Sequence, residues 1–228
     1  ITLDNLRIKG TEISDEEYEA ALIAILLHDI GHGPFSHALE YSLLNGIPHE
    51  ELSLMTIELL NEQFGGKLDL ALIIFKNQYE RKFLNQLVSS QLDIDRLDYL
   101  QRDCFFTGVS EGTIGADRII KMMAVKDGQL VIEEKGIYSI ENFLSARRLM
   151  YWQVYLHKTT VSAEKMLINL ISRAKDVQQG GRNLFASEEF LFFLQNNFTL
   201  EDFQKSDVLI KTFLELDDYD IWGAIKLW

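Results

Sequence analysis

The sequence predicts an all-α fold with one small β-hairpin. Apolar residues recur at helical spacing along most of the 228 residues, and only two prolines interrupt the pattern. The exception lies near residues 122–134, where short apolar runs flank Asp127-Gly128, a pair typical of a two-residue hairpin turn. No linker rich in Pro, Gly or Ser divides the chain, so we expect a single domain over residues 1–228.

The helices are predicted in order along the chain. Ser14 begins the clearest one, because a Ser followed three residues later by a Glu forms a capping box before an apolar run that ends at Leu27. Further helical patterns cover residues 36–45, 49–63, 68–88 and 93–104. After the hairpin we expect a long helix over 139–175, a Gly-containing loop at 178–181, and short helices to the C terminus.

Charge and cysteine content narrow the possible partners. The formal net charge of -13 would repel a nucleic-acid backbone or an anionic membrane surface, so neither is expected as a partner. A single nucleotide can still bind, since the local field of a metal ion and a few arginines outweighs net charge at hydrogen-bonding distance. One cysteine, no apolar run near a membrane span of about 20 residues and no secretory signal predict a cytoplasmic protein. The chain starts with Ile1 and ends in an uncapped amphipathic helix, so we expect the native product to continue at both ends.

Four of the five histidines lie between residues 28 and 49 and are accompanied by carboxylates. His28-Asp29 directly follows an apolar helix, and His32 would share a helix face with His28 at a spacing of four residues. This set of nitrogen and oxygen donors suits a hard or borderline divalent cation close to phosphate oxygens. A further carboxylate is needed, and Asp95 is the best candidate.

The predicted helix around Asp95 carries polar groups in a row. Arg96, Tyr99 and Asp103 are spaced at i, i+3 and i+7, which places a cation, a phenol and a carboxylate on one face. Arg suits phosphate, Tyr can pack on a sugar, and Asp can accept from a sugar hydroxyl. A solvated, salt-bridged helix face is the alternative, but the neighbouring His-Asp motif favours a nucleotide site.

The long helix carries a second stripe. Arg147, Tyr151, Tyr155 and Lys158 follow at i, i+4, i+8 and i+11 and would share one face. They could bind a nucleotide, or they could pack their aromatic rings on the core with their polar ends in solvent.

His37 and Glu40 stand one helical turn apart. The carboxylate can therefore orient the imidazole and raise its basicity, an arrangement typical of a proton-transferring histidine. His49, which precedes Glu50-Glu51, could assist in the chemistry or serve as a structural helix cap.

These segments together resemble the HD-domain phosphohydrolases, and more narrowly their deoxynucleoside triphosphate (dNTP) triphosphohydrolase branch. The resemblance rests on HDIGHGPFSH at 28–37, DIDRLDY at 93–99 with Arg102-Asp103, and the stripe from Arg147 to Lys158, in the same order. It covers about residues 20–175, which predicts a catalytic part at about 15–175 and a helical C-terminal extension at 176–228.

The resemblance implies metal-dependent hydrolysis of a dNTP to deoxynucleoside and triphosphate by a dimer or tetramer. It implies His28, Asp29 and Asp95 as ligands of a divalent ion, which could be Fe, Mn, Zn, Ni or Mg. By the same resemblance His37 acts at the scissile bond, supported by Glu40 and His49. The remaining roles concern the substrate: His32, Arg96, Tyr99 and Arg147 at the phosphates, Asp103 at the 3′-hydroxyl, and Tyr155 against the sugar.

The sequence departs from the family pattern at three points. Residues 1–27 contain no histidine, whereas the family's metal site normally includes one before the His-Asp pair. Either that histidine lies before residue 1, or the protein supplies only three ligands. Glu40 replaces an aspartate, and Tyr151 replaces a histidine near the nucleotide. Two alternatives stay open: a nucleotidase or phosphodiesterase of the same family, and a non-catalytic nucleotide-sensing or oligomerisation module. A nucleotide activator is also common in the branch.

Overall fold

A computed structural model describes residues 1–44 and 46–228. It consists mainly of α-helices with one antiparallel pair of strands, so the predicted all-α class with one hairpin, as in HD-domain folds, is confirmed. The helices are α1 Thr2–Ile8, α2 Asp15–Leu27, α3 His37–Glu40, α4 His49–Gln63, α5 Asp69–Phe75, α6 Lys82–Val88, α7 Ile94–Thr107, α8 Ala116–Met122, α9 Ile137–Met150, α10 Lys158–Gln179, α11 Glu188–Gln195, α12 Leu200–Gln204, α13 Asp207–Leu214 and α14 Asp218–Leu227.

Local sequence signals account for several boundaries. The predicted capping box forms at the start of α2, where the Glu17 backbone N–H donates to Ser14 Oγ over 3.1 Å and the Ser14 N–H donates to the Glu17 carboxylate over 2.9 Å. Helix α4 has the predicted bounds. The hairpin joins β1, Met123–Lys126, to β2, Gln129–Ile132, with Lys126 paired to Gln129 across the Asp127-Gly128 turn.

Three predicted helices are wrong in extent. The helix expected over 68–88 is two helices, because Asn77 adopts a φ of +54° and ends α5 in a Schellman motif, with the Gln78 N–H donating to the Ile73 carbonyl over 2.9 Å. The helix expected over 139–175 is interrupted by a π-helical segment, Tyr151–Tyr155. The helix expected over 36–45 covers only His37–Glu40, and Asn45 lies outside the described residues. Helices α1 and α8 were not predicted.

Backbone contacts divide the chain into two compact units. The first unit comprises residues 1–26 and 66–160, and the second comprises 27–65 and 161–228. This division does not test the single domain expected over 1–228, its catalytic part or its C-terminal extension, which stay predictions.

Each unit has its own apolar core. The core of the first unit includes fully buried side chains from α1, α5, α6, α7 and α8, among them Leu6, Ile74, Phe83, Leu100 and Ile119. The core of the second unit joins α4 to α10, α11, α13 and α14 through side chains such as Leu52, Ile171, Phe193, Phe213 and Ile221. No helix of the described residues is both long enough and apolar enough to cross a membrane.

Candidate functional site

The His-Asp segment of the second unit follows α2 as a turn rather than as more helix. Helix α2 ends at Leu27, so the prediction that His28 and His32 share a helix face is wrong. Gly31 fixes the position of this turn, because a Cβ there would lie 2.2 Å from the Ser53 backbone nitrogen. The Gly31 N–H donates to Ser53 Oγ over 2.9 Å, and Ser53 is fully buried in α4. The turn is therefore held directly against α4.

A carboxylate lies among the imidazoles of this turn. Asp29 Oδ1 is 3.3 Å from His28 Nε2, 3.8 Å from His32 Nε2 and 4.0 Å from His49 Nε2. The His32 and His49 rings stack with centroids 3.8 Å apart. We call His28, Asp29, His32, His37, Glu40 and His49 the imidazole cluster.

Glu40 links two histidines of the imidazole cluster. Its Oε1 accepts from the His49 backbone N–H and lies 2.9 Å from His49 Nδ1, while its Oε2 lies 3.3 Å from His37 Nδ1. In neutral imidazoles that donate through Nδ1–H, Nε2 is the atom that can accept a proton. The predicted contact between His37 and Glu40 is present, and His49 joins it.

Burial and neighbours perturb two groups of this cluster. Burial, followed by the nearby His49, lowers the pKa of His32, so neutral imidazole is favoured. Burial acts to raise the pKa of Glu40, but the hydrogen bonds from His49 and His37 outweigh it, and the pKa is lowered. Glu40 is thus an anion that accepts hydrogen bonds from His49 and His37.

The donor atoms of the cluster fit a divalent cation. Two ligands about 2.1 Å from one ion and at right angles are about 3 Å apart, and His28 Nε2 and Asp29 Oδ1 are separated by 3.3 Å. Ligand atoms of His32, His37 and His49 also lie within 4.8 Å of one another and could hold an ion. Nitrogen and carboxylate donors suit Zn, Fe, Ni or Mn, and carboxylates also suit Mg.

In the first unit, Asp95 and Arg96 stand in the first turn of α7. Asp93 caps this helix by accepting from the Arg96 backbone N–H over 2.8 Å, and its carboxylate also pairs with the Arg96 guanidinium. Arg96 Nε is buried and has no hydrogen-bond partner among the described residues. A buried donor of this kind is costly unless a ligand or water accepts from it.

Aromatic and charged side chains from α7 and the π-helical segment form a second cluster in the first unit. Tyr155 Oη donates to Asp103 Oδ2 over 2.6 Å, and the Tyr155 ring contacts both Tyr99 and Tyr151 edge to face. The Arg147 guanidinium lies over the Tyr151 ring, 5.8 Å from its centroid. We call Tyr99, Asp103, Arg147, Tyr151 and Tyr155 the tyrosine cluster.

Residues of the tyrosine cluster pack partly on the core, and they also place polar groups where a nucleotide could bind. Tyr99 and Tyr155 pack partly on the core of the first unit. For Tyr155 this is the structural alternative of its stripe, whereas for Tyr99 the alternative was a solvated helix face. Burial raises the pKa of Tyr99, and burial together with the Asp103 carboxylate raises that of Tyr155, so both phenols stay protonated. Tyr155 nevertheless connects the two predicted stripes, because it bonds to Asp103 and contacts Tyr151, which lies under Arg147.

Two residues that support these sites were not identified from the sequence. Ser53 reaches Gly31 from 22 positions away, so only the folded chain reveals the contact. Asp93 could have been found, because an Asp that precedes a helical pattern and stands three residues before Arg96 is a recognisable N-cap.

An α-helical fold in which a His-Asp turn follows an apolar helix defines the HD-domain class. The HD domain family matches residues 5–103, and the HD associated region matches residues 114–187. The chain therefore belongs to the HD-domain family, with the associated region following the HD domain along the chain.

Known proteins of this family align over most of the chain. It is 40% identical over 205 residues to the protein YwfO of Bacillus subtilis, covering 86% of this chain and 47% of that protein. It is 31% identical over 206 residues to the deoxynucleoside triphosphate triphosphohydrolase SAMHD1 homolog of Dictyostelium discoideum, covering 81% of this chain and 40% of that protein. A crystal structure of a phosphohydrolase from Bacteroides thetaiotaomicron superposes with a TM-score of 0.96 at 57% identity, over 100% of this chain and 56% of that one. The chain thus spans about half the length of these relatives.

Proposed function

We propose that this protein is a metal-dependent dNTP triphosphohydrolase. In this reaction a water oxygen bonds to the α-phosphorus, the bond from that phosphorus to the 5′-oxygen breaks, and a proton passes to the leaving sugar oxygen. The products are a deoxynucleoside and intact triphosphate. The observation that carries the proposal is the tyrosine cluster, in which Tyr155 and Asp103 share a 2.6 Å hydrogen bond beside Arg147.

The tyrosine cluster offers the groups that a deoxynucleotide needs. The Asp103 carboxylate can accept a hydrogen bond from the 3′-hydroxyl, and the Tyr155 ring can pack on a sugar that lacks a 2′-hydroxyl. Tyr151 offers a further aromatic surface, and Arg147 brings a permanent positive charge for phosphate. Phosphate monoesters need fewer such groups, so this combination favours a triphosphate over a monophosphate substrate.

We assign Arg96, Tyr99 and His32 to the phosphates as well. The buried Arg96 Nε has no acceptor among the described residues, and a phosphate oxygen would supply one. Tyr99 stays protonated and can donate through its hydroxyl, and the neutral His32 can donate through its ring N–H to a phosphate oxygen.

We assign His28, Asp29 and Asp95 as ligands of the divalent ion. When bound, the ion would stabilise negative charge that develops on the phosphate. Asp29 and His28 present their donor atoms side by side, and the first turn of α7 carries Asp95.

His37 is the proton-transferring residue of this proposal, and Glu40 and His49 hold it in place. Glu40 fixes Nδ1 of His37 as the donor, which leaves Nε2 for the proton that passes to the leaving 5′-oxygen. The His37 side chain is 66% exposed, so a substrate can reach it. His49 shares Glu40 and fixes the direction of that carboxylate.

The proposal is tested by incubating the protein with dGTP and Mn²⁺ or Mg²⁺ and separating the products by ion-exchange chromatography. Deoxyguanosine and triphosphate in equal amounts are expected. Deoxyguanosine monophosphate or free phosphate as first product would favour a nucleotidase or phosphodiesterase. Intact dGTP beside a protein that binds it would favour a nucleotide-sensing module.

We also propose that the protein forms a homo-oligomer, a dimer or a tetramer, and that a nucleotide can activate it. Exposed aromatic side chains in the first unit support an assembly, since Phe105 and Phe106 are each 79% exposed at the C-terminal end of α7. Light scattering during gel filtration, with and without dGTP, measures the assembly. A monomer under both conditions would contradict this part of the proposal.

A further inference from the structure

The turn between Gly33 and His37 has a backbone that its own sequence does not favour. Phe35 has a φ of +55°, and Ser36 has a φ of +52° with a ψ of -129°. Residues with a β-carbon rarely adopt these values, and a bulky residue such as Phe least of all. Such a conformation persists only where surrounding contacts hold it.

Those contacts come from α14 and from α13. The Phe35 backbone N–H donates to Asp218 Oδ1 over 2.8 Å, and the Phe35 ring meets the Trp222 ring edge to face at 5.5 Å. The Phe213 ring occupies the space beside Gly33, where a Cβ would lie 2.8 Å from its Cε2 atom. All of these residues belong to the second unit.

The Phe35–Ser36 turn directly precedes His37, a residue of the imidazole cluster. Ser36 is the N-cap residue of α3, whose first residue is His37, and Ser36 Oγ lies 3.1 Å from His32 Nδ1. A change in the Phe35 and Ser36 dihedral angles would therefore move the His37 ring and break the contact with His32.

We infer that Asp218 and Trp222 are positioning residues for His37, acting through the Phe35–Ser36 turn. The inference rests on the proposed function, in which His37 transfers a proton. Both residues lie outside residues 5–103 and 114–187. The residues that support the proposed reaction would therefore include some beyond the segments that match the family. The role of Asp218 requires only an acceptor oxygen at Oδ1, so an amide should replace its carboxylate.

The test compares Asp218→Ala with Asp218→Asn, using dGTP and Mn²⁺. Asn keeps an oxygen that can accept from the Phe35 N–H, and Ala does not. We expect Asp218→Ala to lower kcat by about 10- to 100-fold, the effect of moving a reacting group by up to 1 Å, with little change in KM. Asp218→Asn should stay within about threefold of wild type, and Trp222→Ala should resemble Asp218→Ala. Glu215→Ala removes an exposed acid from the segment before α14 and is the matched control.

Nuclear magnetic resonance supplies a readout that is independent of turnover. In Asp218→Ala, the Phe35 amide proton and the His37 ring nitrogens should shift, while the backbone signals of Tyr219 to Leu227 stay close to wild type. Equal loss of activity in the Asn and Ala variants, or unchanged His37 signals in Asp218→Ala, would overturn the inference. So would loss of the α14 signals, because Asp218 would then only stabilise the helix. If wild type hydrolyses no dNTP, the proposed function fails, and the His37 signals still decide whether Asp218 positions the ring.

Discussion

Gly31→Ala should damage both the stability and the activity of this protein. The new Cβ would lie 2.2 Å from the Ser53 nitrogen, 2.4 Å from the His49 carbonyl oxygen and 2.7 Å from the Leu52 carbonyl carbon. All three are backbone atoms of α4, so no side chain can rotate away. Ordinary contacts of a Cβ begin at 3.4 Å, so the turn must move away from α4 by about 1 Å.

Two contributions determine how much this movement lowers the free energy of unfolding. Overpacking a well-packed site costs about 1–3 kcal/mol, and the lost hydrogen bond from Gly31 to Ser53 adds about 0.5–1.5 kcal/mol. We therefore expect the free energy of unfolding to fall by about 1.5–4.5 kcal/mol. A displacement of about 1 Å in the imidazole cluster should also lower kcat by about 100-fold.

Urea unfolding followed by circular dichroism measures the first effect, and dGTP turnover by the folded fraction measures the second. The matched control is Gly223→Ala in α14, where an added Cβ meets no atom within 4 Å. That substitution should leave stability equal or raise it by up to about 1 kcal/mol, because Ala is the better helix former. A Gly31→Ala variant as stable as wild type would refute the packing argument.

Three further predictions concern other parts of the molecule. Asp95→Ala should abolish dGTP hydrolysis and reduce bound metal without loss of helical circular dichroism, and hydrolysis that survives would show that the ion lies elsewhere. Tyr155→Phe removes the hydrogen bond to Asp103, worth about 1.5–3 kcal/mol to a charged acceptor, so kcat/KM for dGTP should fall by about 10- to 100-fold; unchanged kinetics would contradict the role of this pair. Burial acts to raise the pKa of Glu17, but hydrogen bonds from Ser14 and Arg81 lower it overall, so its stabilisation is complete above pH 4.5 and is lost as pH falls further. Urea unfolding at pH 7 and pH 3.5 should therefore show a smaller loss on acidification for Glu17→Gln than for wild type, and equal losses would contradict this.

The sequence predicted elements whose boundaries depend on local chemistry. The Ser14–Glu17 capping box begins α2 where expected, and Asp127-Gly128 lies at the hairpin turn. Helical spacing placed Asp103 and Tyr155 in two separate stripes, and only the folded chain shows that they lie within 2.6 Å of each other. Elements that depend on a few consecutive residues could thus be predicted from the sequence.

Other features depend on contacts between distant segments and could not be predicted. The π-helical segment at Tyr151–Tyr155 carries an ordinary helical pattern in its sequence. The positive φ of Phe35 opposes its intrinsic preference and is supported by Asp218, 183 positions away. Local signals were overlooked at two positions. Asp93 is a recognisable N-cap residue, and Asn77 is of a type that is frequent at helix ends in the left-handed conformation.

In the proposed reaction, water attacks the α-phosphorus of a dNTP. Hydrolysis of dGTP in water enriched in ¹⁸O, followed by mass spectrometry of both products, tests it most directly. We expect one ¹⁸O atom in triphosphate and none in deoxyguanosine. Label in deoxyguanosine, or label in a mono- or diphosphate formed as the first product, would contradict it.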